Sequence, residues 1–189
     1  MEKHREQAIR IARMMLDMDP IFIDTETTGI DAFDTLIEIA ILDSDGSLLY
    51  ESLVKPGKPI PPEATRVHQI TDAMVAFSPT WKQIWPEVQA VLSGRVAGFY
   101  NAEFDLRMIR QTCGLNGIPW DEELLEDDFC VMELFARYYG TPGPRLGQFK
   151  WHKLAYAGQY FKIPEQNSHR AKDDALLTKL VLEKMAEGQ

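Results

Sequence analysis

Ile21-Phe22-Ile23 is a short apolar run that stops on an acid, Asp24, and two longer strand-like runs follow it, Leu36 to Leu42 and Leu48 to Val54. Between those two, Asp43-Ser44-Asp45-Gly46 has the composition of a hairpin turn. Past the proline-rich loop from Lys55 to Pro62 the pattern becomes an alternation. It predicts a helix over about Thr80 to Leu92, a strand over Arg95 to Tyr100, and a helix from Ala102 to about Thr112 capped by Asn101. Pro86 marks a kink or a shifted start in the first of these helices. Phe129 to Tyr139 reads equally as strand or helix, Lys153 to Phe161 reads as a helix, and a last helix runs from near Arg170 to about Met185. Tightly turned strands followed by alternating helix and strand require a mixed sheet with helices packed on it, an α/β layered fold.

Ahead of this unit, Ile9, Ala12, Met15 and Leu16 fall at helical spacing among Lys3, Arg5, Arg10 and Arg13. The organisation read from the sequence is therefore an amphipathic helix over residues 1–18 and one domain over 19–187. At 189 residues with 45% hydrophobic content, one domain has enough material for an ordinary core. No apolar run is long enough to span a bilayer and the N-terminus lacks a signal-peptide core, so a soluble, cytoplasmic protein is expected. Cys113 and Cys130 form no metal-binding pair and are expected as reduced core residues, and the four tryptophans as core or partly buried anchors.

The net charge of −9 argues against a nucleic-acid partner until its distribution is considered. Acids crowd residues 121–133, whereas 143–172 carry Arg145, Lys150, Lys153, Lys162, Arg170 and Lys172 against Glu165 alone. A solvated face is the ordinary reading of such a run. This one leads straight into a histidine and two aspartates.

Three segments carry candidate chemistry: Asp24-Thr25-Glu26-Thr27-Thr28-Gly29, Asn101-Ala102-Glu103-Phe104-Asp105, and His169-Arg170-Ala171-Lys172-Asp173-Asp174. In a strand, residues two apart face the same way, so Asp24 and Glu26 share a pocket if the strand extends through Glu26. A solvated strand end explains the same pair. Asp105, Asp173 and Asp174 fall in the first turns of helices, where the helix dipole favours a carboxylate with or without a metal. A lone His169 is ordinarily a surface or packing residue, yet on a loop it is free to act as a base near neutral pH. His68 reads best as a solvent-facing or capping residue.

In combination these segments resemble the DnaQ-like 3′-to-5′ exonucleases of the DEDDh group, over about residues 20–185. The first two segments look like the first and second exonuclease motifs, and His169-x-Ala171-x-x-Asp174 looks like the third in its histidine form. Val67-His68-Gln69-Ile70-Thr71 is similar to a further family segment near the substrate. The resemblance implies a ribonuclease H-like fold, a five-stranded mixed sheet flanked by helices, here with an extra N-terminal helix. It implies that Asp24, Glu26, Asp105 and Asp174 hold two divalent ions, Mg²⁺ or Mn²⁺, with His169 as general base, and it leaves Asp173 as a helix N-terminal charge. Thr25, Thr27, Thr28, Ile30, His68 and Phe104 would meet the substrate, with Ile30 as a wedge between the last bases.

The implied activity is metal-dependent removal of 5′-mononucleotides from nucleic acid 3′ ends, DNA favoured, single-stranded or frayed. RNA 3′-end trimming is the nearest alternative, and an endonuclease would share the fold. A non-catalytic module that binds a protein partner through the N-terminal helix is the reading from another class. A homodimer, or a polymerase or nuclease partner, fits the resemblance; a membrane does not.

Overall fold

A computed structural model describes residues 2–145, 147–164 and 167–188; Met1, Leu146, Glu165, Gln166 and Gln189 lie outside the described residues. The elements in order are α1 (Glu2–Asp17), β1 (Ile21–Thr27), β2 (Leu36–Leu42), β3 (Leu48–Leu53), α2 (Pro62–His68), α3 (Asp72–Val75) and α4 (Trp81–Leu92). There follow β4 (Val96–Phe99), α5 (Ala102–Leu115), β5 (Asp127–Cys130), α6 (Val131–Tyr139), α7 (Leu154–Tyr160) and α8 (Ala171–Glu187).

The five strands lie in the order β3-β2-β1-β4-β5, with β1–β2 and β2–β3 antiparallel and β1–β4 and β4–β5 parallel. The expected mixed sheet is therefore present, flanked by helices, with α1 as the additional N-terminal helix. The β2–β3 hairpin turns on Gly46 at φ 87°, a left-handed conformation glycine adopts without strain. Phe129 to Tyr139, ambiguous in sequence, divides in two: Cys130 ends β5 and Val131 begins α6 without an intervening loop. Pro86 lies inside α4 without ending it, because the carbonyl it leaves without an N–H, that of Lys82, belongs to an exposed residue.

Alternation along β1 sorts the core into two layers. Phe22 packs with Val96, Phe129 and residues of α1, α6, α7 and α8, whereas Ile21 and Ile23 pack with Trp81, Trp85 and residues of α5. In α1, Ala8 and Ala12 are fully buried in the first layer, where the helix lies on α6 and α8. Gly98 of β4 leaves room for Phe129, since a β-carbon there would lie 2.6 Å from the Phe129 ring.

Two expectations need correction. Asn101 stands at the N-cap of α5 but its side chain makes no capping bond; its carbonyl instead accepts from Phe104 N–H at 3.0 Å and Asp105 N–H at 3.2 Å. Trp151 is 57% exposed, not a buried anchor. Its neighbour His152 takes the partly buried position, stacked on Tyr156 at 4.6 Å between centroids.

Candidate active site

β1 runs on through Glu26, so Asp24 and Glu26 point to the same face as Phe22, the face on which α8 lies. Thr25 points to the other face, and its hydroxyl donates to Asp105 Oδ1 of α5 at 2.7 Å. Thr25, expected at the substrate, thus spends its hydroxyl on orienting a carboxylate. The strand is irregular here: Glu26 pairs with Glu38 but Thr27 pairs with Leu36, a bulge of the kind that re-aims side chains beside functional sites.

The start of α8 supplies the remaining groups. Asp174 is 4% exposed, accepting from Ser168 N–H at 3.1 Å and from the Asn167 side-chain amide. Asp173 faces outward and accepts from the Ser168 hydroxyl at 2.7 Å, a local bond that ties the loop to the helix start. His169 is exposed and left-handed at φ 55°, and one ligand atom each from Glu26, His169 and Asp174 lies within 4.8 Å of the others.

Burial raises the pKa of Asp24, Glu26, Asp105 and Asp174, and repulsion from neighbouring carboxyls adds to it at Asp24, Glu26 and Asp174. Asp24 stands well above the ordinary range, first through burial and then through repulsion from Asp105, Asp174, Glu26 and Glu38. Burial, reinforced by Asp174 and Glu38, pushes Glu26 up to about 9. Asp105 reaches about 7 by burial even though its bonds from Thr25 oppose the rise, and Asp174 reaches about 7 by burial against the Ser168 N–H. Such a cluster is unfavourable as a set of free anions. Its hard oxygen donors fit Mg²⁺ or Mn²⁺, whose positive charge would reverse the penalty.

A cleft of about 610 Å³ adjoins the cluster, lined by Thr25 to Asp31, Asp34, Lys58, Val67, His68 and Phe104 among others. Thr27 donates to the Gly29 carbonyl at 2.7 Å, Thr28 is fully buried and donates to Asp34 at 2.7 Å, and Ile30 projects at 72% exposure. Asp34 also accepts from Asp31 N–H and pairs with Lys58, each at 2.7 Å, so a buried aspartate ties down the loop that presents Ile30. Phe104 is half-buried beneath the Arg107 guanidinium. His68 is buried rather than solvent-facing. Its Nδ1 accepts from Ile70 N–H at 3.0 Å, and burial holds its pKa below the usual value although the Thr27 backbone opposes the fall.

Sequence reasoning missed Glu38, which is 1% exposed in a strand whose other residues are all apolar. Arg170 donates to it through Nε at 3.0 and 3.1 Å, and Ala171 N–H donates at 2.9 Å. The signal was available: a lone charge inside Leu36-Ile37-Glu38-Ile39 must find a partner if the strand is central. Arg170 is therefore committed to this pair, while Arg145, Lys150, Lys153, Lys162 and Lys172 of the basic stretch stay exposed.

The RNase_T family model, described as an exonuclease, matches residues 21–182. An uncharacterised exonuclease, CP81, of Escherichia phage 186 is 42% identical over 181 residues, covering 94% of this chain and 93% of the phage protein. Exodeoxyribonuclease 10 of Escherichia coli K12 is 32% identical over 164 residues, covering 85% of this chain and 65% of that one. Among solved structures, exonuclease X in complex with 5′-overhanging duplex DNA superimposes with a TM-score of 0.60 at 26% identity, covering 89% of this chain and 98% of the other.

Proposed function

The chain belongs to this exonuclease family, within the DnaQ-like superfamily of 3′-to-5′ exonucleases, and from that premise we propose that it removes 5′-mononucleotides from DNA 3′ ends using two divalent cations. The observation that carries the reading is a set of carboxyls from three elements: Glu26 and Asp174 offer ligand atoms within 4.8 Å of one another and of the exposed His169, and Asp24 is close enough to Glu26, Asp105 and Asp174 to be raised by their repulsion. When bound, the cations supply the positive charge that makes water acidic and stabilises the departing 3′ oxygen.

The protein's own groups do the rest. His169, exposed on the loop before α8, takes a proton from the attacking water through its imidazole and passes it to solvent. Thr25 and Ser168 hold Asp105 and Asp174 by hydrogen bonds, so these carboxylates need little reorganisation when cations enter. The cleft beside Glu26 receives the terminal nucleotide, with Phe104 against its sugar or base, the Thr27–Gly29 backbone along it, and Ile30 at the mouth as an apolar wedge. The proposed substrate is a single-stranded or frayed 3′ end, whose terminal nucleotide the cleft of about 610 Å³ would receive. DNA is favoured because an exodeoxyribonuclease and a DNA-bound exonuclease stand among its relatives.

The test is incubation of the chain with 5′-labelled single-stranded DNA, duplex DNA and RNA in Mg²⁺ or Mn²⁺. A ladder shortening from the 3′ end, faster on DNA than on RNA and abolished by chelator, is expected. Internal fragments, or cleavage that survives chelation, would overturn the reading, and faster shortening of RNA would overturn the choice of substrate.

A further inference from the structure

We infer that Glu38 and Arg170 form a positioning clamp that fixes the left-handed backbone of His169, and so sets where its imidazole stands. The inference rests on His169 acting as the base. Glu38 belongs to β2 and Arg170 to the residue next to His169, a separation of 132 residues. Glu38 takes Arg170 Nε and Nη2 and then the Ala171 N–H, so the two residues after His169 are pinned to the sheet. On the other side, Ser168 N–H and Asn167 are pinned to Asp174. His169 bridges the two anchors.

Its φ of 55° is a conformation that L residues rarely keep, and one that persists when its surroundings determine it on both sides. The bond from Asp174 N–H to the Arg170 carbonyl, 3.0 Å, makes Arg170 part of the helix start as well. An ion pair that buries its carboxylate while leaving the Arg170 side chain 39% exposed is a poor way to gain stability, since two apolar side chains of similar size commonly do as well. A bidentate guanidinium–carboxylate pair does fix direction, which an apolar pair cannot. A clamp of this sort is needed where an exposed imidazole on a short loop must be held beside Glu26 and Asp174.

The experiment measures kcat and KM on a labelled DNA strand for Glu38→Gln, Arg170→Lys, Arg170→Gln and His169→Ala, for Glu38→Gln combined with His169→Ala, and for Glu38→Met combined with Arg170→Met. Glu38→Gln and Arg170→Gln should lower kcat about 10–100-fold with KM changed less than about twofold, and Arg170→Lys should recover part of the loss. In the His169→Ala background the Glu38→Gln change should have an effect below about twofold, because the group it positions is already gone. The double methionine variant should fold normally yet stay as slow as Glu38→Gln. Wild-type kcat in Glu38→Gln, an undiminished effect in the His169→Ala background, or full activity of the double methionine variant would each overturn the clamp. The His169 amide and imidazole resonances give a readout that does not need cleavage. They should move in Glu38→Gln and Arg170→Gln but not in Lys172→Gln, and unmoved resonances would overturn the clamp even if the chain cut no substrate. A wild-type chain that cuts nothing while those resonances move would sink the exonuclease reading and leave the clamp standing.

Discussion

Filling the carboxylate cluster with Mn²⁺ or Mg²⁺ should expel protons, and their number follows from the site. Asp105 and Asp174, each with a pKa of about 7, hold about half a proton apiece at pH 7. Glu26, at about 9, holds nearly a whole one, so these three together release about two protons on cation binding at pH 7. At pH 8 the two aspartates are mostly ionised and the number falls to about one. Asp24, also raised, adds to both figures. By linkage, each proton released changes the apparent affinity about tenfold per pH unit, so Mn²⁺ should bind about 100-fold more tightly per unit near pH 7. Calorimetric titration with Mn²⁺ in two buffers of different ionisation enthalpy measures the number directly. A binding heat independent of buffer, or an affinity flat between pH 6 and 8, would show that cation binding does not displace these protons. Either result would mean that the carboxyls are already ionised in the empty site, or that the cation binds elsewhere.

Stability of the chelated protein should fall as pH rises from about 4 to about 9. Glu26, Asp105 and Asp174 have folded-state pKa values above their unfolded ones, so the native state binds more protons in that window and is favoured at its acid end. Thermal midpoints rising with pH under chelation would contradict this, and saturating Mn²⁺ should flatten the profile. Thr25→Val removes the hydroxyl that favours the Asp105 anion and should weaken Mn²⁺ binding about tenfold by calorimetry; unchanged affinity would show that the bond does not orient the ligand. Asp34→Asn weakens the hold on Thr28, Asp31 and Lys58 and should raise KM several-fold, about five times, with less effect on kcat, as read from steady-state cleavage; an unchanged KM would separate this loop from the substrate. Gly98→Ala forces a methyl against Phe129 and should cost about 1–3 kcal/mol in urea denaturation, so a loss under about 0.5 kcal/mol would contradict the packing.

The elements most legible in the sequence were those with strong local patterning. The Leu36–Leu42 strand, the turn on Gly46 and the amphipathic first helix follow from apolar periodicity and glycine geometry, which need no tertiary information. The division of Phe129–Tyr139 was not legible, because an apolar run suits either period until β5 is seen to pair with β4. The acids of the candidate site were legible as a set of spaced motifs, and the meeting of their elements gives them a shared environment. What holds them was hidden. Thr25 reaches Asp105 across 80 residues and Arg170 reaches Glu38 across 132, partnerships that no local spacing encodes. His68, the last residue of α2, is likewise buried where that helix lines the cleft, and its sequence neighbours gave no sign of it. No described helix is long and apolar enough to cross a membrane, in line with the absence of any such run in the sequence.

The central claim is that Asp24, Glu26, Asp105 and Asp174 together hold two catalytic cations. Anomalous diffraction from crystals of the chain grown with Mn²⁺ and a 5′-mononucleotide tests it most directly. Two manganese peaks are expected among these four carboxylates, both lost in Asp24→Ala, with the nucleotide in the cleft lined by Thr27, Ile30 and Phe104. Manganese found away from the four acids, or two peaks that persist in Asp24→Ala, would contradict it.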